Sequence, residues 1–269
     1  GIKSDDVVDL LLFAVPLGLI GARLYYIIFN LDLYRTEDGG LDFVEMVRTR
    51  DGGLAIYGGV IAAVLVLFFV CRHKKIPFLA FADLGSMGLL IGQCVGRWGN
   101  FMNVEAYGSV TTLPWRMCSP KIASELYGQG LVDAEGYQQV LDGVLGVHPT
   151  FFYESVWNLL GFVLVALIVK HWRKFDGQIF FTYLAWYGIG RGIIEGLRTD
   201  SLYFLNTPIR VSQMLGFASA AVAIVLLAWF LAVRRKGPES LWVNRVAARE
   251  KTESQENTAE EESNGSDDH

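Results

Sequence analysis

Charged and amide side chains interrupt an apolar stretch in the sequence GRWGNFMNVEAYG, residues 96–108. An ionisable group beside a membrane-spanning segment is costly to bury, and such residues commonly serve binding or catalysis. A guanidinium with amide groups close by suits the oxygens of a phosphate group. The candidates in this stretch are Arg97, Asn100, Asn103, Glu105 and Gly108.

A second polar group lies in YGIGRGIIEGLRTD, residues 187–200. Arg191 and Glu195 are four residues apart, so on a helix they share a face and can pair. Arg198 adds another cation three residues later. Several guanidiniums on one patch predict a phosphate site, and a phospholipid head group is the phosphate available at a membrane boundary.

A third stretch, HPTFFYE, opens an apolar segment and supplies three further candidates, His148, Tyr153 and Glu154. The alternative interpretation of any one charged residue here is a long side chain that reaches the interface, or a structural ion pair. Interfacial tyrosines are also common as anchors. The paired glycines around Tyr57, in GGLAIYGGV, indicate either a ligand site or close helix packing.

The composition indicates that these residues belong to a membrane protein. With 52% hydrophobic and 19% charged residues and a mean hydropathy of +0.33, the chain is too apolar for an ordinary soluble domain. Six segments are long and apolar enough to cross a membrane. They lie near residues 7–29, 54–70, 79–96, 151–170, 178–195 and 210–233.

The sequence therefore predicts an all-α polytopic membrane protein, with six transmembrane helices and a small extracytoplasmic cap at about 97–150. Lysines and arginines collect after the second, fourth and sixth segments, which predicts that these loops are cytoplasmic. The candidate residues then lie toward the outer leaflet. Residues 1–236 are predicted to form the transmembrane catalytic domain, and the acidic residues 237–269 a cytoplasmic, largely disordered tail.

Other functional classes have less support. A basic stripe with interleaved aromatic residues, typical of nucleic-acid binding, is missing from the sequence. The cysteines, Cys71, Cys94 and Cys118, have no CxxC spacing, and the histidines have no zinc-type spacing, so we expect no metal and no other cofactor. A transporter or flippase for an anionic lipid or solute stays an alternative, although it predicts charged residues near mid-membrane on broken helices.

Residues 20–235 resemble the prolipoprotein diacylglyceryl transferases of bacteria. The likeness lies in GRWGNFMNVEAYG, HPTFFYE and GRGIIEGLRTD, in that order, and extends to GARLYY and DGGLAIYGG. The resemblance implies a bacterial inner-membrane enzyme that moves the diacylglyceryl group of phosphatidylglycerol onto the lipobox cysteine of a prolipoprotein signal peptide. It implies a thioether product, release of glycerol 1-phosphate, and membrane lipids and prolipoprotein as partners; we expect a monomer.

The resemblance also implies roles for individual residues. Catalysis is assigned to Arg97, Arg191, Tyr57 and Glu195. Phosphatidylglycerol binding is assigned to Arg97, Asn100, Asn103, Glu105, Gly108 and Arg198. Arg97 and Arg191, one from each of the two arginine-containing motifs, would hold the phosphodiester and neutralise the leaving group. Glu105 and Glu195 would orient these arginines, because an unpaired buried guanidinium is costly.

The sequence departs from the family in two places. Many members have a histidine where this chain has Tyr57, and a phenol is a poor base near neutral pH, so Tyr57 is expected to tune or relay the proton. Members also have one more N-terminal span. The resemblance therefore implies seven helices in the whole protein, of which this sequence is expected to contain six.

Overall fold

The computed structural model describes residues 2–36, 40–49, 52–199, 207 and 210–265, with side chains described up to 255. It divides into two compact units. The first unit contains residues 1–81 and 246–269, and the second contains residues 82–245.

The first unit is built on two long apolar helices, α1 (Ser4–Phe29) and α3 (Ile56–Lys74). They pack closely at Gly21 and Gly58, since a Cβ added to Gly21 would lie 2.7 Å from the Gly58 carbonyl oxygen. The glycines before and after Tyr57 therefore include one, Gly58, whose role is helix packing. A short helix, α2 (Phe43–Val47), lies between the two long helices in the chain.

The connection from α1 to α3 is organised around a buried guanidinium. Arg23, on α1, is 8% exposed and donates five hydrogen bonds of 2.5–3.0 Å to backbone carbonyl oxygens. Its guanidinium also lies 5.4 Å from the centre of the Tyr34 ring. The carbonyls belong to Glu45, Met46, Arg48, Gly52 and Gly53. The Arg23 side chain therefore fixes the backbone at five positions between residues 45 and 53.

The second unit contains α4 from residue 82 onward and three later helices of the bundle. Their bounds are α4 Phe78–Asn103, α7 Thr150–His171, α8 Gln178–Glu195 and α9 Val211–Ala228, which continues as a π-helical turn over Trp229–Val233. α8 packs against both α7 and α9. The indoles of Trp157 and Trp186 stack at 4.5 Å, and each donates to the other's backbone carbonyl.

Between α4 and α7 the chain forms a cap with a hydrophobic core of its own. Two amphipathic helices, α5 (Pro120–Gly128) and α6 (Ala134–Leu141), pack together, and a two-stranded antiparallel sheet pairs β1 (Val110–Thr111) with β2 (Gly146–Val147). The core side chains are Tyr107, Ile122, Ala123, Leu126, Val140 and Val147. The segment that the sequence predicts as a small cap is thus folded around buried apolar residues.

The described residues confirm the predicted all-α polytopic membrane fold. Five helices are long and apolar enough to cross a membrane: α1, α3, α4, α7 and Val211–Val233. Many of their large apolar side chains, such as Leu12 and Val15, are more than half exposed, as expected for lipid-facing surfaces. The chain is a multi-pass membrane protein.

The fifth predicted span, 178–195, coincides with α8, but α8 is less apolar than the other five long helices. Its 18 residues would extend about 27 Å at the usual helical rise. It carries Gln178, Arg191 and Glu195, and ten of its residues are buried, because α8 lies between α7 and α9. A helix covered by protein needs no apolar surface toward lipid. That α8 crosses the membrane stays a prediction.

The acidic tail differs from its prediction. A helix, α10 (Trp242–Gly265), occupies most of the region for which the sequence predicts disorder. Its alanines, arginines, glutamates and lysines are strong helix formers, which accounts for a helix whose side chains, where described up to residue 255, are mostly exposed. In the second unit, the start of α10 is fixed where the Trp242 amide donates to Asp176 at 2.8 Å.

Candidate active site

A buried glutamate, Glu154, lies at the centre of the charged residues in the second unit. Its side chain is 6% exposed. One carboxylate oxygen, Oε2, pairs with Arg97, while Oε1 lies 3.3 Å from Nη1 of Arg191 and 3.7 Å from Nη1 of Arg198. We call Arg97, Arg191, Arg198 and Glu154 the arginine cluster. Three segments distant in sequence therefore meet at one carboxylate.

Helix positions explain why these charges are tolerated. Glu154 is the fifth residue of α7, near the positive end of that helix dipole. Arg191 lies in the last turns of α8, near the negative end. The predicted i, i+4 pair is present, with Nη2 of Arg191 lying 2.6 Å from Oε2 of Glu195. Glu154 and Arg191 therefore each have both a favourable helix dipole and an ion-pair partner.

One residue of this region, Arg210, was not among the predicted candidates. It stands at the N-cap of α9, and its guanidinium donates to the backbone carbonyl oxygen of Glu195. The position of Arg210, at the start of the sixth apolar segment, is the feature of the sequence that could have identified it as a candidate. Four arginines and two buried glutamates give these six side chains a net charge of +2. The arrangement suits an anion.

Glu105 does not take the place that the sequence predicts for it. Its Oε1 accepts from the side-chain amides of Asn100, at 3.0 Å, and Asn103, at 3.2 Å. Asn100 Oδ1 in turn lies 3.5 Å from Nη1 of Arg97. The prediction that Glu105 orients an arginine directly is therefore wrong, because the carboxylate on Arg97 is Glu154. Glu105 instead orients the two amides beside Arg97.

The backbone after α4 explains this change of partner. α4 ends at Asn103, and the amide of Glu105 donates to the Asn100 carbonyl at 3.0 Å. Val104 and Ala106 both have positive φ, 52° and 55°. A left-handed residue directly after a helix reverses the chain, which folds Glu105 back over the last turn. A β-branched residue in that conformation is uncommon and strained.

The backbone of Gly108 joins two neighbouring segments of the chain. Its amide donates to the His148 carbonyl at 2.8 Å, and the next amide, of Ser109, donates to the Leu197 carbonyl at 2.7 Å. The segment 108–111 thus lies between 146–148, its partner in the two-stranded sheet, and 197–198, which it joins through an isolated bridge at Gly108 and Arg198; we call the three segments the small sheet. This small sheet places Arg198 against the cap. Gly108 remains a predicted lipid-binding residue, but its observed contacts are with protein.

Substitution of Gly108 by alanine is expected to disrupt the small sheet. A Cβ there would lie 2.8 Å from both His148 Cβ and the Leu197 carbonyl oxygen, distances that require the backbone to shift. We expect a loss of about 1–3 kcal/mol in the free energy of unfolding, typical of overpacking. Thermal unfolding in detergent measures it. Gly85→Ala, with no atom within 4 Å of the added Cβ, is the matched control. Equal melting temperatures for both variants would contradict the assignment.

The remaining candidates of the HPTFFYE stretch also meet. Tyr153 Oη accepts from Nε1 of Trp115 at 2.8 Å and lies 3.2 Å from Nδ1 of His148. Trp115 comes from the cap, and Tyr153 directly precedes Glu154. No pattern in the sequence points to Trp115. His148, which sequence reasoning could not connect to the site, is therefore linked to it through Tyr153 and through the small sheet.

Tyr57 belongs to the first unit, as the second residue of α3. Its side chain is half exposed, and its ring lies 6.4 Å from that of Tyr25. Its catalytic role stays a prediction. Among the residues that the structure describes, no three histidine, cysteine or acidic side chains are grouped as a metal site would require.

Comparison with known proteins gives a consistent result. Residues 1–229 match the sequence model of a family described as prolipoprotein diacylglyceryl transferase. The chain is 43% identical over 244 residues to the phosphatidylglycerol–prolipoprotein diacylglyceryl transferase of Lactiplantibacillus plantarum, covering 90% of this chain and 79% of the relative. It is 41% identical over 254 residues to the protein of that name from Enterococcus faecalis, covering 93% and 83%. The protein of the same name from Finegoldia magna is 41% identical over 225 residues, 84% of this chain and 79% of the relative.

Proposed function

The chain belongs to the prolipoprotein diacylglyceryl transferase family, and from this we propose that it transfers the diacylglyceryl group of phosphatidylglycerol to the lipobox cysteine of prolipoproteins. The thiol sulfur forms a bond to C3 of the glyceryl group as the bond from C3 to the phosphate oxygen breaks. Glycerol 1-phosphate leaves, and the product is a thioether. The observation that carries this proposal is that a chain of this family gathers the arginine cluster around the buried Glu154.

The cluster supplies what this displacement requires. A phosphodiester carries one negative charge, and the leaving phosphate monoester carries more, so charge grows on the phosphate oxygens during reaction. Fixed guanidiniums in a site poor in water stabilise such developing charge most effectively. Arg97 and Arg191 are proposed to hold the phosphate oxygens, with Arg198 beside them. Glu154 and Glu195 keep the planar donor groups aimed before substrate arrives.

The amides after Arg97 are proposed to bind the polar part of the lipid. Asn100 and Asn103 both donate to Glu105, so each presents a fixed carbonyl oxygen. A carbonyl oxygen is an acceptor for a glycerol hydroxyl group. The exposed position of Asn103 and Glu105 at the end of α4 fits a head group that faces water.

The orientation follows from the charge distribution and stays part of the proposal. Short loops rich in lysine and arginine after α3, α7 and α9 favour a cytoplasmic location for these loops and for the C-terminus. The arginine cluster then opens toward the outer leaflet of the bacterial inner membrane. A monomer suffices, because all residues of the cluster come from one chain. A transporter is not favoured, since the family is one of enzymes.

The proposal is tested by mass spectrometry of a synthetic lipobox peptide incubated with the purified protein and phosphatidylglycerol vesicles. We expect the cysteine to gain one diacylglyceryl group, and glycerol 1-phosphate to appear in equal amount. A peptide with serine in place of cysteine should gain nothing, and phosphatidylcholine vesicles serve as the lipid control. An unmodified cysteine, with protein that is folded and binds phosphatidylglycerol, would overturn the proposed function.

A further inference from the structure

A tyrosine, a tryptophan and a histidine form a hydrogen-bonded group beside the arginine cluster. Tyr153 Oη lies 2.8 Å from Trp115 Nε1 and 3.2 Å from His148 Nδ1. His148 and Tyr153 are partly buried, and Trp115 is 57% exposed. The three residues come from the cap, the small sheet and α7, so folding alone brings them together. The proposed phosphate site uses none of them.

The hydrogen-bonding rules of these groups allow two tautomers of His148, one of which leaves a ring nitrogen free to accept a proton. An indole nitrogen only donates, so Tyr153 Oη must accept from Trp115. A hydroxyl oxygen has two lone pairs and can accept a second bond from His148 Nδ1–H. In that tautomer Nε2 of His148 carries no proton and is an acceptor. The Tyr153 O–H remains available to donate to an oxygen of the substrate.

The small sheet sets the distance from this group to the phosphate site. Segment 146–148 flanks one side of strand 108–111, and segment 197–198 flanks the other. His148 and the start of the Arg198 side chain are therefore about two strand spacings apart, roughly 10 Å. Tyr153 adjoins Glu154 in sequence. The imidazole is thus tied to the arginine cluster through one shared strand and through the first turn of α7.

We propose that His148 is the general base that removes the proton from the substrate thiol, and that Tyr153 and Trp115 fix its tautomer. The inference rests on the proposed function. The S–H proton passes to Nε2 of His148 as sulfur attacks C3 and the C3–O bond electrons pass to the phosphate. The resulting imidazolium then gives its proton to the phosphate monoester or to water. This assignment gives the reaction a proton acceptor other than Tyr57.

The charged surroundings are compatible with this role. Among the residues that the structure describes, Tyr153 is the titratable group hydrogen-bonded to the imidazole. Glu154 and Arg198 lie beyond it in the cluster and pair with each other at 3.7 Å. From the cap, Arg116 turns its guanidinium to the carbonyl oxygens of Gly143, Thr112 and Leu113 rather than to the imidazole.

The test is a pH profile of transfer by the full chain with lipobox peptide and phosphatidylglycerol vesicles. In His148→Asn the side-chain amide can still donate to Tyr153 but has no basic nitrogen. We expect kcat/KM at pH 7 to fall about 100-fold, a typical contribution of a general base. The deficit should shrink toward pH 9, because a free thiol ionises near pH 8.5 without help. A purely structural defect would lower the rate equally at every pH.

Two further variants make the outcome decisive. Tyr153→Phe removes the hydroxyl but keeps the imidazole, so we expect a smaller loss, about 10-fold, with the same pH dependence as the wild type. Tyr57→Phe should also keep that dependence. A His148→Asn profile parallel to the wild type, or a pH-dependent deficit in Tyr57→Phe instead, would overturn the assignment. No product from the wild-type protein would contradict the proposed function, which is a separate result.

Discussion

Replacing Arg191 with alanine is expected to lower the rate of diacylglyceryl transfer by about 1,000-fold, the effect of removing a fixed charge-stabilising donor. Arg191 is 17% exposed and contacts both Glu154 and Glu195, so its donor groups are held in place before the lipid binds. Initial rates of thioether formation, measured by mass spectrometry, test the prediction.

Arg191→Lys separates charge from geometry. Lysine keeps the positive charge but has no planar fork for two phosphate oxygens. We therefore expect a transfer rate between those of the Arg191→Ala variant and the wild-type protein. The matched control is Arg234→Ala, which removes an exposed arginine after α9 and should leave the rate unchanged. Near-normal transfer by a folded Arg191→Ala variant would remove Arg191 from the proposed leaving-group site.

Substitution of Glu154 is expected to have the largest effect on stability. Glu154→Ala leaves three guanidiniums facing one another without their shared carboxylate. Removing one partner of a buried ion pair typically costs about 3–5 kcal/mol. We expect a loss of this size in the free energy of unfolding, measured by denaturant titration in mixed micelles.

Glu154→Gln distinguishes the structural role from the catalytic one. Glutamine preserves the size of the side chain, so a larger fraction of this variant than of Glu154→Ala should fold. The net charge of the cluster rises by one unit. We expect kcat to fall about 100-fold because the arginines lose their orientation, while binding of the anionic lipid is maintained or tighter. Glu135→Gln, at an exposed position of α6 in the cap, is the control. A weaker affinity for phosphatidylglycerol in Glu154→Gln would argue against Glu154 as an orienting group.

Hydropathy and helical spacing allowed much of this architecture to be predicted. The predicted segment 178–195 has the same bounds as α8, and 7–29 lies within α1, because long apolar stretches have few alternatives to a helix. The pair of Arg191 and Glu195 also followed from local geometry, since a spacing of four residues fixes a common helix face.

Contacts between helices could not be predicted in the same way. The nearest acidic residue to Arg97 in the motif is Glu105, and sequence reasoning paired them. The left-handed turn at Val104 and Ala106 removes Glu105 from that position, and the packing of α7 supplies Glu154 instead. Similarly, Trp115 reaches Tyr153 only because the cap folds around its own apolar core. Such partners depend on tertiary packing, which periodicity alone does not encode.

The small sheet has a consequence for the biogenesis of the protein. Its middle strand pairs Gly108 with Arg198, a residue made 90 positions later in synthesis. While α4 is entering the membrane, Arg97 has neither Glu154 nor the other arginines beside it, because α7 and α8 have yet to be synthesised. The nascent chain must therefore shelter a lone arginine at the membrane boundary until α7 supplies Glu154. The arginine cluster is completed only after the helices of the second unit have assembled.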